Sequence, residues 1–374
     1  MLNIFNMMQL LVKQVRLTKE NNKVIFWQGS LMSKTLLACA LLVSPALLAY
    51  TTVEEISLSA NGIRTLDIRT YSGPLTISRS DSDDIEVQAV IEFTDEWEDD
   101  EAREALDDAL FFDLEKRGSQ AQLDSWVGDY DEGDFSFFTW GLIDFFRSGK
   151  DRPDIYLEVK LPPGLEVEIN DYRGEVIIDH VIADISLRTG SGPVEIFELE
   201  GDLDLEDGSG EIDIDGVTGD VEIRDGSGNI DVQNIGGRLT IHDGSGNIEV
   251  RTVGDLLDIR DGSGNIRVND LHADSEIIDG SGDIDVRSVA GNLSLSDGSG
   301  SINVTNVEKD VIVFNRGSGG FNVRGVQGEV HDSSSQNGDR RRYGNNEDRY
   351  RDRSNFKEFE EFEDFEEFEE FGER

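Results

Sequence analysis

The chain has 374 residues with 34 basic and 79 acidic side chains, so its formal net charge is −45. An acidic excess of this size repels phosphate backbones and excludes a nucleic-acid partner. The single cysteine excludes disulfide scaffolds, thiolate metal sites and iron–sulfur clusters, and 37% hydrophobic residues with 39 glycines fit neither collagen nor a wholly disordered chain.

The first element in chain order is an apolar run near the amino terminus. Leu36 to Leu48 is 13 residues long, which is too short for an ordinary transmembrane helix. The run follows Lys34 and ends in small residues near Ala49, which is the layout of a secretory signal peptide. We therefore predict a signal peptide over residues 32–49 and an exported protein, either periplasmic or at the cell surface.

Two features of this region leave alternatives open. The residues before Met32 make an unusually long amino-terminal region for a signal peptide, so residues 1–31 are interpreted as a start-site artefact or an extension. Cys39 closes the sequence Leu-Leu-Ala-Cys at 36–39, which is similar to a lipobox. Lipidation of Cys39 is the alternative to its removal with the signal peptide.

An 18-residue repeat organises most of the chain. The string Gly-Ser-Gly begins at positions 190, 208, 226, 244, 262, 280, 298 and 317, so the spacing is 18 six times and then 19. Strict self-similarity of this period is the signature of a stacked repeat architecture. The architecture therefore has to be read from the repeat unit rather than from single segments.

Aliphatic residues alternate with polar ones within each unit, which indicates strands with one buried face. One unit contains two predicted strands, Glu211–Asp215 and Asp220–Asp225, with turns at Gly-Ser-Gly and near 217–219. A two-strand unit cannot bury its apolar face alone, whereas stacked units can. The predicted fold class is all-β, a single-domain β-solenoid with one coil per 18 residues.

The same pattern begins earlier, before an interruption. Residues 66–77 match 239–250, and the aliphatic alternation of 157–169 returns the chain to the register of the repeat. We therefore predict one solenoid domain over residues 50–331, opened by an insertion at about 94–150.

The insertion contains two kinds of sequence. Residues 99–114 carry alanines and leucines at helical spacing, which predicts a short amphipathic helix. Residues 126–146 hold eight aromatic side chains, which predict either a cap over the end of the solenoid or a surface that contacts a partner or a membrane. The candidate contact residues are Trp126, Phe137, Phe138 and Trp140.

The repeat stops after His331. Residues 332–355 are polar and mixed in charge, which predicts a disordered linker. Residues 356–374 then place phenylalanine at every third position among ten acidic and two basic residues. The two interpretations are a solvated acidic tail and an acidic–aromatic segment that becomes ordered on a partner. Its candidate contact residues are Phe359, Phe362, Phe365 and Phe368.

The repeats resemble the bacterial putative-adhesin family of β-strand-repeat domains. The resemblance is carried by Gly-Ser-Gly-Asn-Ile-Asp-Val at 226–232 and its copies, by the segment 66–77, and by the strand–turn–strand of 157–169. It covers about residues 53–330. It implies an exported envelope protein with an adhesin-like role, whereas the aromatic insertion and the phenylalanine-rich tail depart from the usual pattern.

A column of aspartates precedes the Gly-Ser-Gly strings and suggests a metal hypothesis. Stacking would bring these carboxylates about 5 Å apart, a repulsive row that calcium could compensate. The similarity to calcium-binding RTX repeats fails, because Ile230 stands where those repeats place their aspartate. The alternative is that each aspartate accepts N–H groups of its own turn. The column consists of Asp207, Asp225, Asp243, Asp261, Asp279 and Asp297.

No catalytic constellation emerges from the sequence. The four histidines fall at different phases of the repeat, and Gly-Ser-Gly is a corner rather than a nucleophile elbow. We predict a non-enzymatic, adhesin-like binding or structural module without a cofactor, whose partner is an envelope protein, a glycan or a membrane surface. A calcium-stabilised repeat module and a carbohydrate-active β-helix enzyme are the alternatives.

Overall fold

The computed structural model describes residues 51–70, 73–93, 110–127 and 154–334. The predicted signal peptide, the rest of the insertion and the carboxy-terminal segment lie outside the described residues. The described residues form 26 β-strands and no α-helix. No described helix is therefore long and apolar enough to cross a membrane.

Eight strands precede the regular repeat. They are β1 (Thr51–Ser59), β2 (Thr65–Thr70), β3 (Leu75–Arg79), β4 (Asp84–Glu92), β5 (Leu110–Arg117), β6 (Gln120–Val127), β7 (Asp154–Leu161) and β8 (Leu165–Asp171).

Eighteen shorter strands follow at a regular spacing. They are β9 (Val176–Asp179), β10 (Ala183–Thr189), β11 (Val194–Leu199), β12 (Leu203–Asp207), β13 (Gly210–Val217), β14 (Val221–Asp225), β15 (Gly228–Ile235), β16 (Leu239–Asp243), β17 (Ile248–Val253), β18 (Leu257–Asp261), β19 (Ile266–Leu271), β20 (Ser275–Asp279), β21 (Ile284–Val289), β22 (Leu293–Asp297), β23 (Ile302–Val307), β24 (Val311–Arg316), β25 (Phe321–Val326) and β26 (Val330–Asp332).

The strands form two 13-stranded sheets, and successive strands of the repeat alternate between them. Sheet A has the order β1-β4-β7-β3-β9-β11-β13-β15-β17-β19-β21-β23-β25. Sheet B has the order β26-β24-β22-β20-β18-β16-β14-β12-β10-β8-β2-β6-β5. From β8 onward each strand pairs in parallel with the equivalent strand of the next coil, as far as the last strands β25 and β26, which confirms the predicted β-solenoid. In sheet A the earlier strand β3 lies between β7 and β9 and pairs in parallel with both.

The core is a set of aliphatic ladders between the two sheets. Because adjacent coils pair in register, Ile212 lies beside Ile230, and Ile230 lies beside Ile248. All three are at most 1% exposed, and branched aliphatic side chains suit such a pleated, buried face. Ser275 interrupts one of the aliphatic columns and is also buried. Its hydroxyl donates a hydrogen bond of 3.4 Å to the carbonyl oxygen of Ala273.

The amino-terminal end departs from the parallel repeat. Strand β4 pairs antiparallel with both β1 and β7 in sheet A. In sheet B, β5 and β6 form an antiparallel hairpin, and β6 pairs in parallel with β2. Phe93, which follows β4, is 1% exposed and extends the core at this end.

The predicted helix over residues 99–114 is wrong for its last five residues. Residues 110–114 belong to β5, and the remainder of that prediction lies outside the described residues. Leu110, Phe112 and Leu114 alternate along the strand and are partly buried against the core. Residues 110–114 therefore form a strand, because the pairing of β5 with β6 outweighs the helical spacing of the alanines and leucines.

Candidate functional site: the aspartate ladder at the glycine corner

Each coil turns twice, and the two turns differ. We call the turn from sheet B to sheet A, which begins at the aspartate and ends at the third residue of Gly-Ser-Gly, the glycine corner. We call the turn from sheet A back to sheet B the second corner. In one coil these are residues 243–246 and residues 254–256.

The structure brings the six predicted aspartates together in one row. Each is the last residue of a sheet B strand, and adjacent ones are register partners, as Asp225 and Asp243 show. The side chains are between 0% and 7% exposed, so the row is inside the glycine corner rather than on the surface. We call the row Asp207, Asp225, Asp243, Asp261, Asp279 and Asp297 the aspartate ladder.

One carboxylate oxygen in most ladder residues caps its own turn. The backbone N–H of Ser245 donates to Oδ1 of Asp243 at 3.0 Å, and the N–H of Ser263 donates to Oδ1 of Asp261 at 2.9 Å. The same bond occurs at Asp207, Asp225 and Asp279, with lengths from 2.9 to 3.3 Å. The geometry is that of an Asx turn, which is the structural interpretation of the column.

The second oxygen of each carboxylate is buried without a partner. Oδ2 of all six ladder residues has no hydrogen-bond partner within the described part of the chain, and at Asp297 this holds for Oδ1 as well. Leaving a buried acceptor of this kind ionised is costly, because burial removes the water that would stabilise the charge.

Burial therefore raises the pKa of every carboxyl group in the ladder. Desolvation is the main cause, and it raises the pKa of Asp207, Asp243 and Asp279 to about 7 and that of Asp261 to about 6. Neighbouring ladder carboxylates add repulsion at Asp207, Asp243 and Asp279, while the turn N–H groups oppose both effects. The pKa values of Asp225 and Asp297 are also raised by burial.

The ladder begins two coils before the predicted column. Asp171 occupies the same position in β8, and its Oδ2 accepts the N–H of Gly174 at 2.8 Å. Burial raises the pKa of Asp171 to about 6, against the opposing bond from Gly174. Thr189 fills the next position and is 8% exposed. Sequence reasoning missed Asp171 because a degenerate Tyr-Arg-Gly follows it instead of Gly-Ser-Gly.

Glycine is required at the end of this corner. A Cβ on Gly246 would overlap the carbonyl oxygen of Gly228 in the preceding coil, and Gly246 has a φ of +150°. Gly228, Gly264, Gly282 and Gly300 have the same conformation, with φ from +148° to +154°. The close approach of adjacent coils therefore fixes glycine here and buries the aspartate beside it.

Amide and carboxylate side chains form a second ladder outside the glycine corner. Oδ1 of Asn229 accepts the N–H of Asn247 at 3.2 Å, and Oδ1 of Asn247 accepts the N–H of Asn265 at 3.1 Å. The ladder continues to Asp283 and Ser301 with bonds of 3.1 and 2.9 Å. These exposed side chains connect each coil to the next through backbone N–H groups that begin sheet A strands.

The second corner uses exposed caps of the same kind. Oδ1 of Asp220 accepts the N–H of Arg238 at 2.8 Å, and Oδ1 of Asp274 accepts the N–H of Asn292 at 2.8 Å. Burial alone would raise the pKa of Asp274, but the hydrogen bonds from Asn292 and the charge of Lys309 outweigh it, so this pKa is lowered.

Just before the second corner of each coil, one residue has a left-handed backbone conformation. This column of residues was not predicted from the sequence. Each member lies between two inward-facing aliphatic residues that are three positions apart, as Asn234 does between Val232 and Ile235. A left-handed residue at this point keeps the third aliphatic side chain pointing into the core. The non-glycine members, with φ from 51° to 66°, are His180, Glu198, Asn234, Thr252, Asp270, Ser288 and Asn306. The asparagines and aspartate among them were the available signal.

The calcium hypothesis stays a prediction. Among the described residues, no group of three or more histidine, cysteine, aspartate or glutamate side chains is arranged to hold a metal ion. The Oδ1 atoms already accept turn N–H groups, whereas the partnerless Oδ2 atoms are oxygen donors of the kind that calcium takes.

The aromatic contact residues fall almost entirely outside the described residues. Trp126 is the exception, because its backbone lies in β6 opposite Phe111 of β5. Phe137, Phe138, Trp140, Phe359, Phe362, Phe365 and Phe368 lie beyond the described ranges. Their part in binding a partner stays a prediction.

No protein-family model matches the chain, and no curated protein matches it. Among solved structures, it is similar to a putative cell adhesion protein from Clostridium sporogenes, with 12% identity, 74% of this chain and 99% of that chain covered, and a TM-score of 0.25.

Two further solved structures are similar to the chain. A putative lipid binding protein from Parabacteroides distasonis shares 16% identity over 76% of this chain and 95% of its own, with a TM-score of 0.33. A putative adhesin from Bacteroides fragilis shares 12% identity over 75% and 97%, with a TM-score of 0.26. Two of these three neighbours are thus described as a putative cell adhesion protein and a putative adhesin.

Proposed function

We propose that the protein is an exported, non-enzymatic β-solenoid that acts as an adhesin-like binding or structural module of the cell envelope. The observation that carries the proposal is the parallel stack of β9 to β25 in sheet A and of β8 to β26 in sheet B, with one continuous aliphatic core. Such a stack is a stiff, narrow rod, and rods of this kind present extended binding surfaces or hold two objects apart. The signal-peptide pattern of residues 32–49 supports export.

The outer faces of the two sheets support a role in contact rather than in catalysis. Their charged side chains pair along and across coils. Arg224 contacts Asp204 at 3.1 Å and also pairs with Glu222, and Arg251 contacts Asp231 at 2.8 Å. Exposed pairs of this kind add little stability, but they make each face a polar surface on strands that are spaced about 4.8 Å apart. An extended partner suits such a surface.

The aromatic insertion is the proposed point of contact. Trp126, Phe137, Phe138 and Trp140 are close in sequence, and the hairpin β5–β6 that contains Trp126 lies at the amino-terminal end of sheet B. Aromatic side chains dominate the binding energy of many interfaces, whether the partner is a protein, a glycan or a membrane surface. The rod would then carry this contact region at one end.

A pull-down from envelope extract tests the proposal. The bait is the full chain, and the test variant replaces Phe137, Phe138 and Trp140 by serine. A control variant replaces Arg267 by serine, because this exposed residue lies in β19 of sheet A, many coils away from the hairpin β5–β6. We expect the test variant to capture at least tenfold less of the partner than the original chain, and the control variant to capture the same amount as the original chain. Equal recovery by all three chains would contradict the assignment of the contact to the insertion.

The calcium-stabilised module is the second candidate function, favoured by the buried, partnerless Oδ2 atoms of the aspartate ladder. In that case the metal would be required for folding, as in other metal-dependent repeat modules. Circular dichroism of the full chain with calcium and with a chelator separates the two candidates. An unchanged spectrum and unchanged unfolding temperature in chelator would eliminate the calcium-dependent module.

A further inference from the structure

The two ends of the solenoid finish in different ways. At the amino-terminal end the strand direction reverses, and β1, which carries Glu54 and Glu55, is antiparallel to β4. Reversal and charge are common devices that prevent an edge strand from accepting another strand. At the carboxy-terminal end the parallel repeat simply stops at β25 in sheet A and β26 in sheet B. Within the described residues, each of these last strands pairs on one side only.

The last coil exposes the apolar columns that earlier coils bury. Val311 in β24 is 0% exposed, whereas its register partner Val330 in β26 is 46% exposed. In sheet A, Phe321 and Val323 are only partly buried, although the residues beside them in β23 are fully buried. Phe314 in β24 is 56% exposed. The end therefore presents an apolar surface between two open strand edges, which we call the open end.

The open end is less acidic than most coils of the rod, and residues 237–254 alone share its equal numbers of basic and acidic side chains. Residues 311–334 contain two arginines and two acidic residues, whereas the coil 203–220 contains seven acidic residues and no basic one. Arg316 lies 5.9 Å from the ring centre of Phe321 and 3.1 Å from Asp332. Arg324 donates to the neutral side chain of Asn322 at 3.0 Å. An acidic ligand is therefore repelled less at the open end than along strongly acidic coils such as 203–220.

The chain itself supplies such a ligand at the right place. Ser334, the last residue described in the structure, follows β26 directly at the open end, and 40 residues remain beyond it. That length exceeds two 18-residue coils. Residues 356–371 combine six phenylalanines with nine acidic residues. Tethering raises the effective concentration of this segment at the open end to about the millimolar range.

We propose that residues 356–371 cover the open end of their own chain. In this arrangement the segment adds to a free edge of β25 or β26, its phenylalanines cover the exposed apolar residues, and its acidic residues face Arg316 and Arg324. The proposal does not depend on the adhesin-like function. It gives the phenylalanine-rich segment the role of a terminal cap, which stacked repeats require for solubility.

Hydrogen exchange on the full chain tests the cap. The first variant replaces Phe359, Phe362, Phe365 and Phe368 by serine, and the matched control replaces the same four by leucine, which keeps the apolar character. We expect amides of β25 and β26 to exchange at least tenfold faster in the serine variant and to keep their protection in the leucine variant. Exchange in β13 and β15 should be the same in all three chains, which shows that the rod is folded.

Two results would overturn the proposal. One is equal exchange of β25 and β26 in the original chain and in the serine variant. The other is protection that is lost on dilution, because a second copy of the chain would then be the occupant. A photo-crosslinker in place of Val330 gives an independent readout. It should join residues 356–374 of the same chain, whereas one in place of Val53 should not, and crosslinks that only join two chains would also overturn the cap.

Discussion

Asp243 at the glycine corner and Asp274 at the second corner both accept backbone N–H groups, but their pKa values move in opposite directions. Burial raises the pKa of Asp243 to about 7, with repulsion from Asp225 and Asp261 added to it. At Asp274, bonds from Asn292 and the charge of Lys309 outweigh burial and lower the pKa. The difference arises because the glycine corner encloses its cap between coils, whereas the second corner leaves it in contact with water.

This difference determines which residue types each corner tolerates. The final position of the glycine corner is glycine from Gly192 to Gly300, because the backbone of the preceding coil occupies the space of a side chain. The middle position of the second corner is glycine in some coils, such as Gly219 and Gly237, but it is Asp255, Ala273 and Lys309 in others. The glycine corner therefore sets the tight spacing of the coils, and the second corner tolerates variation. Four predictions test this contrast, from the largest expected effect to the smallest.

Replacing Gly246 by alanine should have the largest effect. The new Cβ would overlap the carbonyl oxygen of Gly228, and the φ of +150° disfavours any side chain. We expect a loss of about 4 kcal/mol or more in the free energy of unfolding, measured by urea denaturation. Gly320→Ala is the control, because its Cβ would lie 3.8 Å from the nearest atom, the hydroxyl oxygen of Ser301. Equal losses in the two variants would contradict the role of the glycine corner.

The second prediction concerns pH. The folded chain holds protons on ladder carboxyls with pKa values of about 6 to 7, whereas the unfolded chain releases them near pH 4. Between these values the folded state binds more protons, so its stability decreases as pH rises. The ladder contribution should be fully present below about pH 4 and lost as pH rises through 6 to 7. Thermal unfolding should therefore occur at a higher temperature at pH 5 than at pH 8.

This pH effect can be assigned to the ladder by a variant that neutralises it. Asp207→Asn, Asp243→Asn and Asp279→Asn combined in one chain should reduce the difference in unfolding temperature between pH 5 and pH 8. A chain with Asp202→Asn and Asp220→Asn at the second corner should keep the difference, because both of these side chains are exposed to water. A pH dependence that is the same in both chains would place its source outside the ladder.

The third prediction separates the two functions of one ladder residue. Asp243→Asn keeps an acceptor for the N–H of Ser245 but removes the buried charge, so this variant should be more stable than the original chain at pH 8. Asp243→Ala removes the acceptor as well, and it should lower the free energy of unfolding by about 1 kcal/mol at pH 5. Chemical denaturation at the two pH values measures both. A variant Asp243→Asn that is less stable at pH 8 would indicate that a cation, not a proton, compensates the ladder.

The smallest effect is expected outside the corner. Asn247→Ala removes the Oδ1 atom that accepts the backbone N–H of Asn265 at 3.1 Å and the Nδ2 group of Asn265 at 3.0 Å. It also removes the 3.1 Å bond that the Nδ2 group of Asn247 donates to Asn229, and the site is exposed to water. We expect a loss of about 0.5 to 1 kcal/mol in the free energy of unfolding. Because water can replace an exposed hydrogen bond, a loss above about 2 kcal/mol would show that this outer ladder, rather than the glycine corner, holds the coils together.

The sequence predicts the fold well because the same side-chain types return every 18 residues. The aliphatic columns and the aspartate column could be found because their members repeat, and register in the sheets follows from that repetition. The left-handed column was missed because a backbone conformation, not a residue type, repeats there. Thr252 and Ser288 occupy the same position in their coils as Asn234 does in its own. The strand at 110–114 was missed because its partner β6 lies in the following segment.

Only part of the candidate site could be predicted from the sequence: the stacking of the aspartates, but not their burial. The spacing shows that the aspartates stack, and their position before Gly-Ser-Gly suggests that they cap turns. It does not show that the side chains are buried, because an aspartate before a glycine turn is usually exposed. Burial of Asp297 to 0% exposure depends on how closely adjacent coils approach, which is a property of the stacked backbone.

The most direct test of the central claim, that protons neutralise the buried aspartate ladder, is a carbon NMR titration of the full chain labelled at aspartate carboxyl groups. The chain is kept in chelator from pH 3 to pH 9. The account predicts a distinct set of carboxyl resonances that titrate at about pH 6 to 7, separate from the exposed aspartates. Titration of all aspartate carboxyls near pH 4, or unfolding of the chain in chelator, would contradict it.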